Sequence, residues 1–446
     1  MKRIFLCTVL TAALVGSPCF AKAKKSSASK QELVPAPLRS DSAAPVAAHP
    51  SPYNFPGVQY PRIEEDSRVT FQFKAANAQK VQVSINNVSY DMTKGDNGVW
   101  TYTSEPQAPG YHNYWMVVDG AVVLDPATNA FIGYGHMCNG FEVPEPGVSF
   151  YDLKDVPHGD IKIKNYFSRT ENSWRHIFVY TPPGYDANTK MRYPVLYLQH
   201  GGGEDERVWT EMGRTNLILD NLLADGRVKP MIVVMETSSV GPLPTGPRPA
   251  GAPGGAAAPG AGPAADAPRG GGLPGMGAAG NAYGKLMISD LIPWVDANFR
   301  TVPDKDHRAM AGLSMGGFMT ASVTMTNLDK FSYIGLFSGG TQGGGGPRGA
   351  SAATNAPAPQ PAALDLKTIY NGAMVDPAKF NREVKVFFFS GGTVPPIENP
   401  ETLKRHHEQL IAAGITNSYL YISPGTSHEW QTWRRSLYVF APLLFR

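Results

Sequence analysis

The sequence predicts an α/β protein with a mostly parallel sheet, preceded by a smaller part made of β-strands. Residues 52–145 alternate apolar and polar side chains with period two between regular turns, which is typical of a small β-sandwich. From Asp155 onward, strand-like and helix-like segments alternate, as they do in a parallel sheet covered by helices. Ser314 stands between one such strand-like segment and the helix-like segment that follows it.

The first residues of the chain are typical of a secretory signal peptide. Two cationic residues precede the apolar stretch Ile4 to Val15, and small residues then lead to a cleavage site after Ala21 or Ala23. Residues 22–51 are rich in Lys, Ser, Ala and Pro, a composition that predicts a disordered tether. We therefore expect a secreted or periplasmic protein from which the signal peptide, residues 1–21, is removed.

Composition gives no reason to expect a strongly charged partner. Of the 446 residues, 42% are apolar and 17% are charged, as in a globular protein with inserts rich in Gly and Pro. The formal charge of +3 falls to +1 when Lys2 and Arg3 leave with the signal peptide. This balance does not favour nucleic acid or an anionic membrane surface as a partner. After the signal peptide, no segment has the apolar length needed to span a bilayer, and the oligomeric state is not predicted.

Cysteine and histidine residues indicate neither a disulfide nor a metal site. Cys7 and Cys19 belong to the signal peptide, so Cys138 has no second cysteine with which to form an internal disulfide. No group of Cys and His residues has the spacing of metal ligands. His406-His407 is predicted to be a solvated or partly packed pair within a helix. We expect neither a metal ion nor an organic cofactor.

The first folded part is predicted to consist of short antiparallel strands. Asp119-Gly120 is a hairpin turn between the last two of them. Trp100 and Trp115 are either core residues, the interpretation that the alternation favours, or a flat platform on which sugar rings stack. The predicted strands are Val69–Phe73, Val81–Ile85, Gly98–Tyr102, Tyr114–Val118 and Ala121–Leu124.

The heptapeptide Ala311-Gly312-Leu313-Ser314-Met315-Gly316-Gly317 contains a G-x-S-x-G motif between a strand-like and a helix-like segment. Glycines two positions before and after Ser314 allow a sharp turn without a Cβ clash, so that the hydroxyl projects from the turn. The amide of Met315 would lie beside it and is a candidate oxyanion donor. Taken by itself, the motif also fits a glycine-rich turn that carries a surface serine.

Two further segments have the order and position that such a serine requires. Tyr193–Gln199 is a predicted buried strand that runs into His200-Gly201-Gly202-Gly203, a pattern typical of the oxyanion loop of α/β-hydrolases. We assign the second oxyanion donor to the amide of Gly202, although a simple glycine turn is the alternative. His428 lies on a loop between the predicted last strand, Asn417–Ser423, and a C-terminal helix. The chain order serine, acid, histidine is that of α/β-hydrolases, so these signals jointly predict that fold.

The acid that orients the histidine is less well defined by the sequence. Glu398 is the first carboxylate after the predicted strand Val384–Phe389, and Asn399 and Pro400 predict a helix start directly behind it. We assign the acid to Glu398. The alternatives are that it only complements the dipole of this helix, or that Glu401 or Asp376 is the acid.

Candidates for substrate binding come from the same loops. His200 and Trp430 are predicted to contact the substrate, while Trp430 and Trp433 fit packing in the helix core equally well. A predicted helix from Tyr283 to Arg300 should bend at Pro293. Two low-complexity inserts, residues 241–280 and 339–363, each follow a strand and should therefore flank the active-site mouth, as mobile lids or as excursions without a role.

Several stretches of the second part resemble the esterase D-type carbohydrate esterases, a family that includes feruloyl and acetylxylan esterases. The most specific is His428-Glu429-Trp430 followed by Trp433-Arg434-Arg435. The resemblance extends from about residue 52 to the C-terminus and implies Ser314 as nucleophile and His428 as base. The other matching stretches are Val156–Asp160, Val179–Tyr185, the His200 loop, Lys229–Val234, the Ser314 motif and the remainder of Gly425–Phe445.

This resemblance also bears on the first part and on the acid. Residues 52–145, with Leu124-Asp125-Pro126 near their end, resemble the Ig-like early-set modules that precede such esterases. The family usually places the acid just after the glycine of the penultimate strand. Here Thr393 to Ile397 intervene, so the chain departs from the family pattern at this point.

The resemblance implies a secreted serine carboxylesterase that acts on esters of plant cell-wall polysaccharide, with feruloyl esters of arabinoxylan favoured. An acetylxylan esterase and a siderophore-type esterase are the nearest alternatives. A different class of function is a carbohydrate-binding protein whose hydrolase part is inactive, but the intact Ser314 and His428 speak against it. A plant cell-wall polysaccharide or a small ester is therefore the expected partner.

Overall fold

The computed structural model describes residues 47–238, 276–341 and 364–446. The predicted signal peptide, residues 1–21, and the predicted tether up to residue 46 lie outside these ranges. So do residues 241–275 of the first predicted insert and residues 342–363 of the second. Among the described residues, no helix combines the length and apolarity needed to cross a membrane.

The described chain begins with two antiparallel sheets. The first has the strand order β1-β2-β3-β7-β6, and the second has the order β10-β11-β8-β4-β5, with β9 paired to β8. In chain order the strands are β1 (His49–Pro50), β2 (Arg62–Ile63), β3 (Val69–Lys74), β4 (Val81–Ile85), β5 (Val88–Asp91), β6 (Thr93–Lys94), β7 (Val99–Thr103), β8 (Gly110–Val118), β9 (Ala121–Val123), β10 (Ala130–Gly133) and β11 (His136–Val143).

These two sheets enclose one apolar core, which makes this part a β-sandwich. Phe71 of the first sheet and Tyr114 of the second meet inside it, with ring centroids 5.0 Å apart. Trp100 belongs to this core, which confirms the prediction for that residue. Trp115 is also buried, but outside this core, where it packs against Tyr134 and His136, so neither tryptophan forms an exposed platform. Pairing of β1 with β2 means that the ordered sheet begins slightly before residue 52. The Ig-like character of this sandwich stays a prediction.

The second part is an eight-stranded sheet covered by helices. Its strand order is β12-β13-β15-β14-β16-β17-β18-β19. The strands are β12 (Asp160–Ser168), β13 (Ser173–Thr181), β14 (Val195–Gln199), β15 (Ile232–Glu236), β16 (Arg308–Leu313), β17 (Tyr333–Phe337), β18 (Val386–Gly392) and β19 (Ser418–Ser423). The α-helices are α1 (Val208–Glu211), α2 (Thr215–Ala224), α3 (Met276–Leu286), α4 (Ile292–Asn298), α5 (Met315–Met325), α6 (Pro377–Glu383), α7 (Pro400–Ala412) and α8 (Trp430–Phe440).

Strands β14 to β19 are parallel, whereas β12 and β13 form an antiparallel edge. Every residue of the central strands β14, β15, β16, β17 and β18 is buried, because helices cover both faces of the sheet. The register brings the carboxyl ends of these strands to one edge, with Gln199 opposite Gly312 and Gly392 opposite Ser423. Loops that follow the parallel strands therefore converge at this edge.

The helix expected from Tyr283 to Arg300 runs from α3 through a π-helical turn, Met287–Leu291, into α4, and it ends at Asn298. The bend expected at Pro293 stays a prediction. The prediction for the two histidines of α7 needs correction. His406 and His407, expected to be solvated or partly packed, are both buried. The hydroxyl of Tyr370 lies 3.0 Å from Nε2 of His406, and burial lowers the pKa of that histidine to about 4.

Helix α8 is fixed to the sandwich by two buried ion pairs. Arg434 donates to both carboxylate oxygens of Glu142, at 2.6 and 3.1 Å, and Arg435 donates to both oxygens of Glu145, at 2.6 and 2.8 Å. Burial opposes ionisation of Glu142, but the guanidinium groups of Arg434 and Arg214 outweigh it and lower the pKa of this carboxyl. Burying these guanidinium and carboxylate groups costs hydration free energy, and two hydrogen bonds within each pair offset that cost.

We predict that Arg434→Met lowers the free energy of unfolding by about 3–5 kcal/mol, because the substitution leaves the buried carboxylate of Glu142 without its bidentate partner. Denaturant unfolding followed by circular dichroism measures the change. The control is Lys80→Met, which breaks an exposed ion pair with Asp91 and should change the free energy of unfolding far less, because water screens this pair. Equal effects of the two substitutions would contradict a structural role for the buried pair.

Candidate active site

Ser314 occupies a tight turn between β16 and α5. Its backbone has φ 50° and ψ −116°, a conformation that side-chain-bearing residues seldom adopt, and its N–H donates to the carbonyl of Phe337 at 2.7 Å. A Cβ on Gly312 would lie 2.4 Å from the carbonyl oxygen of Gly316, and one on Gly316 would lie 2.4 Å from that of His200. The motif glycines are therefore needed because strand, helix and His200 loop approach too closely for any side chain.

A continuous chain of hydrogen bonds joins Ser314, His428 and Glu398. Nε2 of His428 lies 2.9 Å from Oγ of Ser314, and Nδ1 lies 2.9 Å from Oε1 of Glu398. A carboxylate can only accept, so Nδ1 carries the proton and the lone pair of Nε2 faces the serine hydroxyl. The structure thus brings together the three residues that the sequence assigned to these positions.

Glu398 reaches the histidine because the loop before it is folded back. The N–H groups of Thr393 and Val394 both donate to the carbonyl of Thr426 at 2.9 Å, which ties the Glu398 loop to the His428 loop. Oε2 of Glu398 accepts from the N–H of Gly392 at 3.1 Å, and the residue is 6% exposed. Residues Thr393 to Ile397, which separate Gly392 from Glu398, therefore fold back along the His428 loop, so that the carboxylate of Glu398 still reaches His428.

The alternative acids lie elsewhere. Asp376 caps α6 by accepting from the N–H of Lys379, and Glu401 forms an exposed ion pair with Lys404. As predicted, Asn399 caps α7 by accepting from the N–H of Thr402, with Pro400 as its first residue. Of the three carboxylates considered from the sequence, Glu398 is the one in contact with His428.

The two backbone N–H groups that the sequence suggests as oxyanion donors, those of Met315 and Gly202, belong to segments that lie against each other. That of Met315 lies in the first turn of α5, where no intrahelical acceptor exists. That of Gly202 donates to no backbone carbonyl within the described ranges. A Cβ placed on Gly202 would lie 4.0 Å from Cβ of Met315, so the two segments are in van der Waals contact. Both N–H groups therefore remain candidates for the oxyanion donors.

His200 is placed as a structural residue, and the expectation that it contacts the substrate is not supported. It is 1% exposed, its Nδ1 lies 2.7 Å from the carbonyl of Gly201, and its Nε2 accepts from the N–H of Ser238 at 3.1 Å. Burial lowers the pKa of this histidine, which keeps the ring neutral and suits one donor and one acceptor nitrogen. His200 joins the oxyanion loop to the segment that follows β15.

Trp430 is likewise a core residue rather than an exposed wall of the pocket. Its ring packs edge-on against Trp209 at 5.4 Å and against Trp433 at 5.2 Å. Trp433 in turn packs edge-on against the ring of His428, with centroids 5.2 Å apart. The helix-core interpretation therefore holds for both tryptophans. Trp433 also packs against the imidazole ring of His428.

Glu204, on the loop that follows β14, is a titratable group that sequence reasoning did not single out. Its Oε2 accepts from the N–H of Gly201 at 2.8 Å, one residue before the candidate donor Gly202. Burial raises the pKa of Glu204 to about 8; the Gly201 N–H opposes this shift and the charge of Asp205 adds to it. Its position directly after His200-Gly201-Gly202-Gly203 was the available signal in the sequence.

Comparison with known proteins identifies the family. Residues 168–259 and 275–442 match the Esterase family, described as "Putative esterase". An "Endo-1,4-beta-xylanase/feruloyl esterase" from Xylanibacter ruminicola is 36% identical over 89% of this chain and 47% of that protein. "Endo-1,4-beta-xylanase Y" from Acetivibrio thermocellus is 26% identical over 61% of this chain and 22% of that protein. The chain thus spans less than half the length of either relative.

Among solved structures, the enterobactin esterase from Shigella flexneri superposes with a TM-score of 0.52 at 15% identity, over 84% of this chain and 93% of that chain. This likeness concerns the fold, and it agrees with the predicted α/β-hydrolase-type architecture. Because the family match covers more than half of its length, the chain belongs to the Esterase family.

Proposed function

We propose that this protein is an exported serine carboxylesterase that hydrolyses ester substituents of plant cell-wall polysaccharide, with feruloyl esters as the preferred substrates. The observation that carries the proposal is the hydrogen-bonded chain Ser314–His428–Glu398 in a member of the Esterase family. The name of the relative from Xylanibacter ruminicola supports the choice of acyl group. Export rests on the signal peptide predicted at residues 1–21.

In the first half of the reaction, Nε2 of His428 takes the proton of Ser314 as Oγ attacks the ester carbonyl carbon. The carbonyl oxygen becomes an oxyanion that accepts hydrogen bonds from the N–H groups of Met315 and Gly202. The tetrahedral intermediate then breaks its bond to the alcohol oxygen, which leaves with the proton held by His428. The acyl group stays on Ser314 as an ester.

In the second half, water replaces the alcohol. His428 takes a proton from the water as its oxygen attacks the acyl carbon, and the same two N–H groups receive the oxyanion. Collapse of this intermediate breaks the bond to Oγ of Ser314, which regains a proton from His428. The products are the free acid and the original enzyme, and every proton is returned.

Glu398 has a positioning and electrostatic role in both halves. By accepting from Nδ1 of His428 it keeps the lone pair on Nε2, facing the serine. When the imidazole gains a proton it becomes a cation, and the adjacent carboxylate stabilises that charge. Burial of Glu398 strengthens this interaction, because water does not screen it.

Exposed apolar side chains beside the triad favour an aromatic acyl group over acetate. Phe318 lies in the first turn of α5, directly after Ser314, and Val394 and Ile397 lie on the loop that ends in Glu398. All three are exposed in the structure, although large apolar side chains are usually buried. A ferulate ring would cover such surface, whereas an acetyl group is too small to do so.

We predict that Ser314→Ala lowers turnover on the scale of 10⁶-fold, because the attacking oxygen is lost. The measurement is hydrolysis of methyl ferulate and of 4-nitrophenyl acetate by purified wild-type and variant protein. Ferulate release that vanishes in the variant supports the whole proposal. Release of nitrophenol without release of ferulate would move the substrate to acetylated sugars, and activity of the variant within about tenfold of wild type would overturn the mechanism.

Glu398→Ala is predicted to lower kcat by about 10³- to 10⁴-fold, because the histidine loses the partner that sets its tautomer. Glu401→Ala is the matched control, since it removes a carboxylate three residues away that caps nothing and touches no triad residue. It should leave kcat within about twofold of wild type. A comparable loss in both variants, or in neither, would refute the assignment of the acid.

Activity should fall as the pH rises through about 8 because the pKa of Glu204 is raised to about 8. The carboxyl is neutral below this pH; above it, a negative charge beside the oxyanion loop opposes the developing oxyanion. We expect kcat/KM for methyl ferulate to decline between about pH 7 and pH 9 in wild type and to stay flat in Glu204→Gln. Ferulate is quantified by chromatography against an enzyme-free blank at each pH. Superimposable profiles of the two proteins would exclude this role for Glu204.

A further inference from the structure

The hairpin formed by β10 and β11 of the sandwich reaches the oxyanion loop. Its tip, Tyr134-Gly135, has φ values of 54° and 82°, as a two-residue hairpin turn with both residues at positive φ requires. At this tip the N–H of Gly135 donates to the carbonyl of Gly203 at 2.9 Å. Gly203 is the neighbour of Gly202, so the sandwich is in direct contact with the loop that carries a candidate oxyanion donor.

The contact is close and well supported. A Cβ on Gly203 would lie 2.7 Å from the nitrogen of Gly135, so no side chain fits between the loop and the tip. Beneath the tip, the buried ring of Trp115 packs edge-on against Tyr134 at 5.6 Å and against His136 at 4.7 Å. Tyr134 is therefore held on a rigid base rather than on a free loop.

Tyr134 precedes Gly135 at this tip, beside the oxyanion loop, and is 46% exposed. Partial burial raises the pKa of Tyr134 to about 12, with further contributions from Cys138, Glu204 and Glu429. Glu204 belongs to the oxyanion loop, and Glu429 directly follows His428. The phenol is therefore neutral, and able to donate a hydrogen bond, at ordinary pH.

The two sides of the active-site edge differ in chemistry. In the sheet, β14 lies on one side of β16, and β17 and β18 lie on the other. The loop after β14 is the polar side, with Glu204 on it and the hairpin tip of Tyr134 and Gly135 bonded to it at Gly203. The loop after β18 is the apolar side, with Val394 and Ile397 exposed. An ester bound at Ser314 consists of an aromatic acid and a sugar alcohol. The apolar side of the site suits the aromatic acid.

We propose that Tyr134, a residue of the N-terminal sandwich, forms a subsite for the sugar that carries the ester. This inference rests on the proposed function and names the part of the substrate that the polar side receives. Sugar hydroxyls pair with the phenol and with the neighbouring carboxyl groups, while the face of the aromatic ring covers the C–H surface of the sugar. Tyr134 is thus a specificity-determining residue supplied from outside the hydrolase sheet.

The test compares two esters of the same acid that differ in the alcohol: methyl ferulate and 5-O-feruloyl-arabinose linked to a xylo-oligosaccharide. Tyr134→Ala should lower kcat/KM for the sugar ester by about tenfold, mainly through KM, as expected for the loss of one hydrogen bond and one ring contact. With methyl ferulate, the same variant should stay within about twofold of wild type. Tyr134→Phe keeps the ring but lacks the hydroxyl, so it separates the contribution of the hydrogen bond from that of the ring contact.

Tyr90→Ala is the matched control. Tyr90 is an exposed tyrosine of the same sandwich, 37% accessible, and it lies on β5, at the edge of the six-stranded sheet opposite to β10. It packs against Tyr102, with ring centroids 5.2 Å apart, as Tyr134 packs against Trp115. For Tyr90→Ala, kcat and KM should match those of wild type with both esters. Thermal unfolding verifies that each variant is folded.

Equal losses on both esters in Tyr134→Ala would overturn the subsite, since they would show that the tip acts through the oxyanion loop instead. No loss on either ester would overturn it as well. The wild-type rate on methyl ferulate tests the proposed function separately. If wild type cleaves no feruloyl ester, the acyl group is wrong, and the same comparison is made with acetylated xylobiose and methyl acetate, where the expected tenfold ratio applies unchanged.

Discussion

The backbone of Ser314 is the constraint on which the rest of the site depends. A residue with a side chain at φ 50° and ψ −116° costs on the order of 1–3 kcal/mol, which the surrounding packing must offset. It is held by the bond from its N–H to Phe337 and by crowding so tight that a Cβ on Gly339 would lie 2.1 Å from the carbonyl oxygen of Ser314. This turn sets the hydroxyl toward His428 and leaves the N–H of Met315 unpaired beside it. Any relaxation of the turn would separate nucleophile, base and oxyanion donor at once.

The sandwich is coupled to this site at two places. Buried pairs with Glu142 and Glu145 fix Arg434 and Arg435 on α8, the helix that begins two residues after His428. At the opposite side, the tip of the β10–β11 hairpin bonds to Gly203 of the oxyanion loop. The candidate base His428 and the candidate oxyanion donor Gly202 thus both lie next to residues that contact the sandwich. This coupling explains in physical terms why two dissimilar architectures form one compact unit over the described chain.

Residues close in sequence to the triad could be predicted, and those brought in from a distance could not. The turn chemistry around Ser314, the strands before it and the helix start at Asn399-Pro400 are local signals, and the structure agrees with them. Periodicity does not show which way a side chain points at a chain bend, so His200 was expected in the pocket although its ring serves the loop. Tyr134 carried no local signal, because its position depends on tertiary packing of a hairpin against a loop that is remote in the chain. The Arg434-Arg435 pair was noted as part of a family signature, but its partners on the sandwich required the structure.

The central claim is that Ser314, activated by His428, is the nucleophile of an ester hydrolase. The most direct measurement is labelling of the full protein with a fluorophosphonate probe, followed by mass spectrometry of the proteolytic peptides. The account predicts one adduct, on the peptide that contains Ser314, and labelling that is strongly slowed in His428→Ala because the serine then lacks its base. An adduct on another serine, or no adduct on the folded wild-type protein, would contradict it.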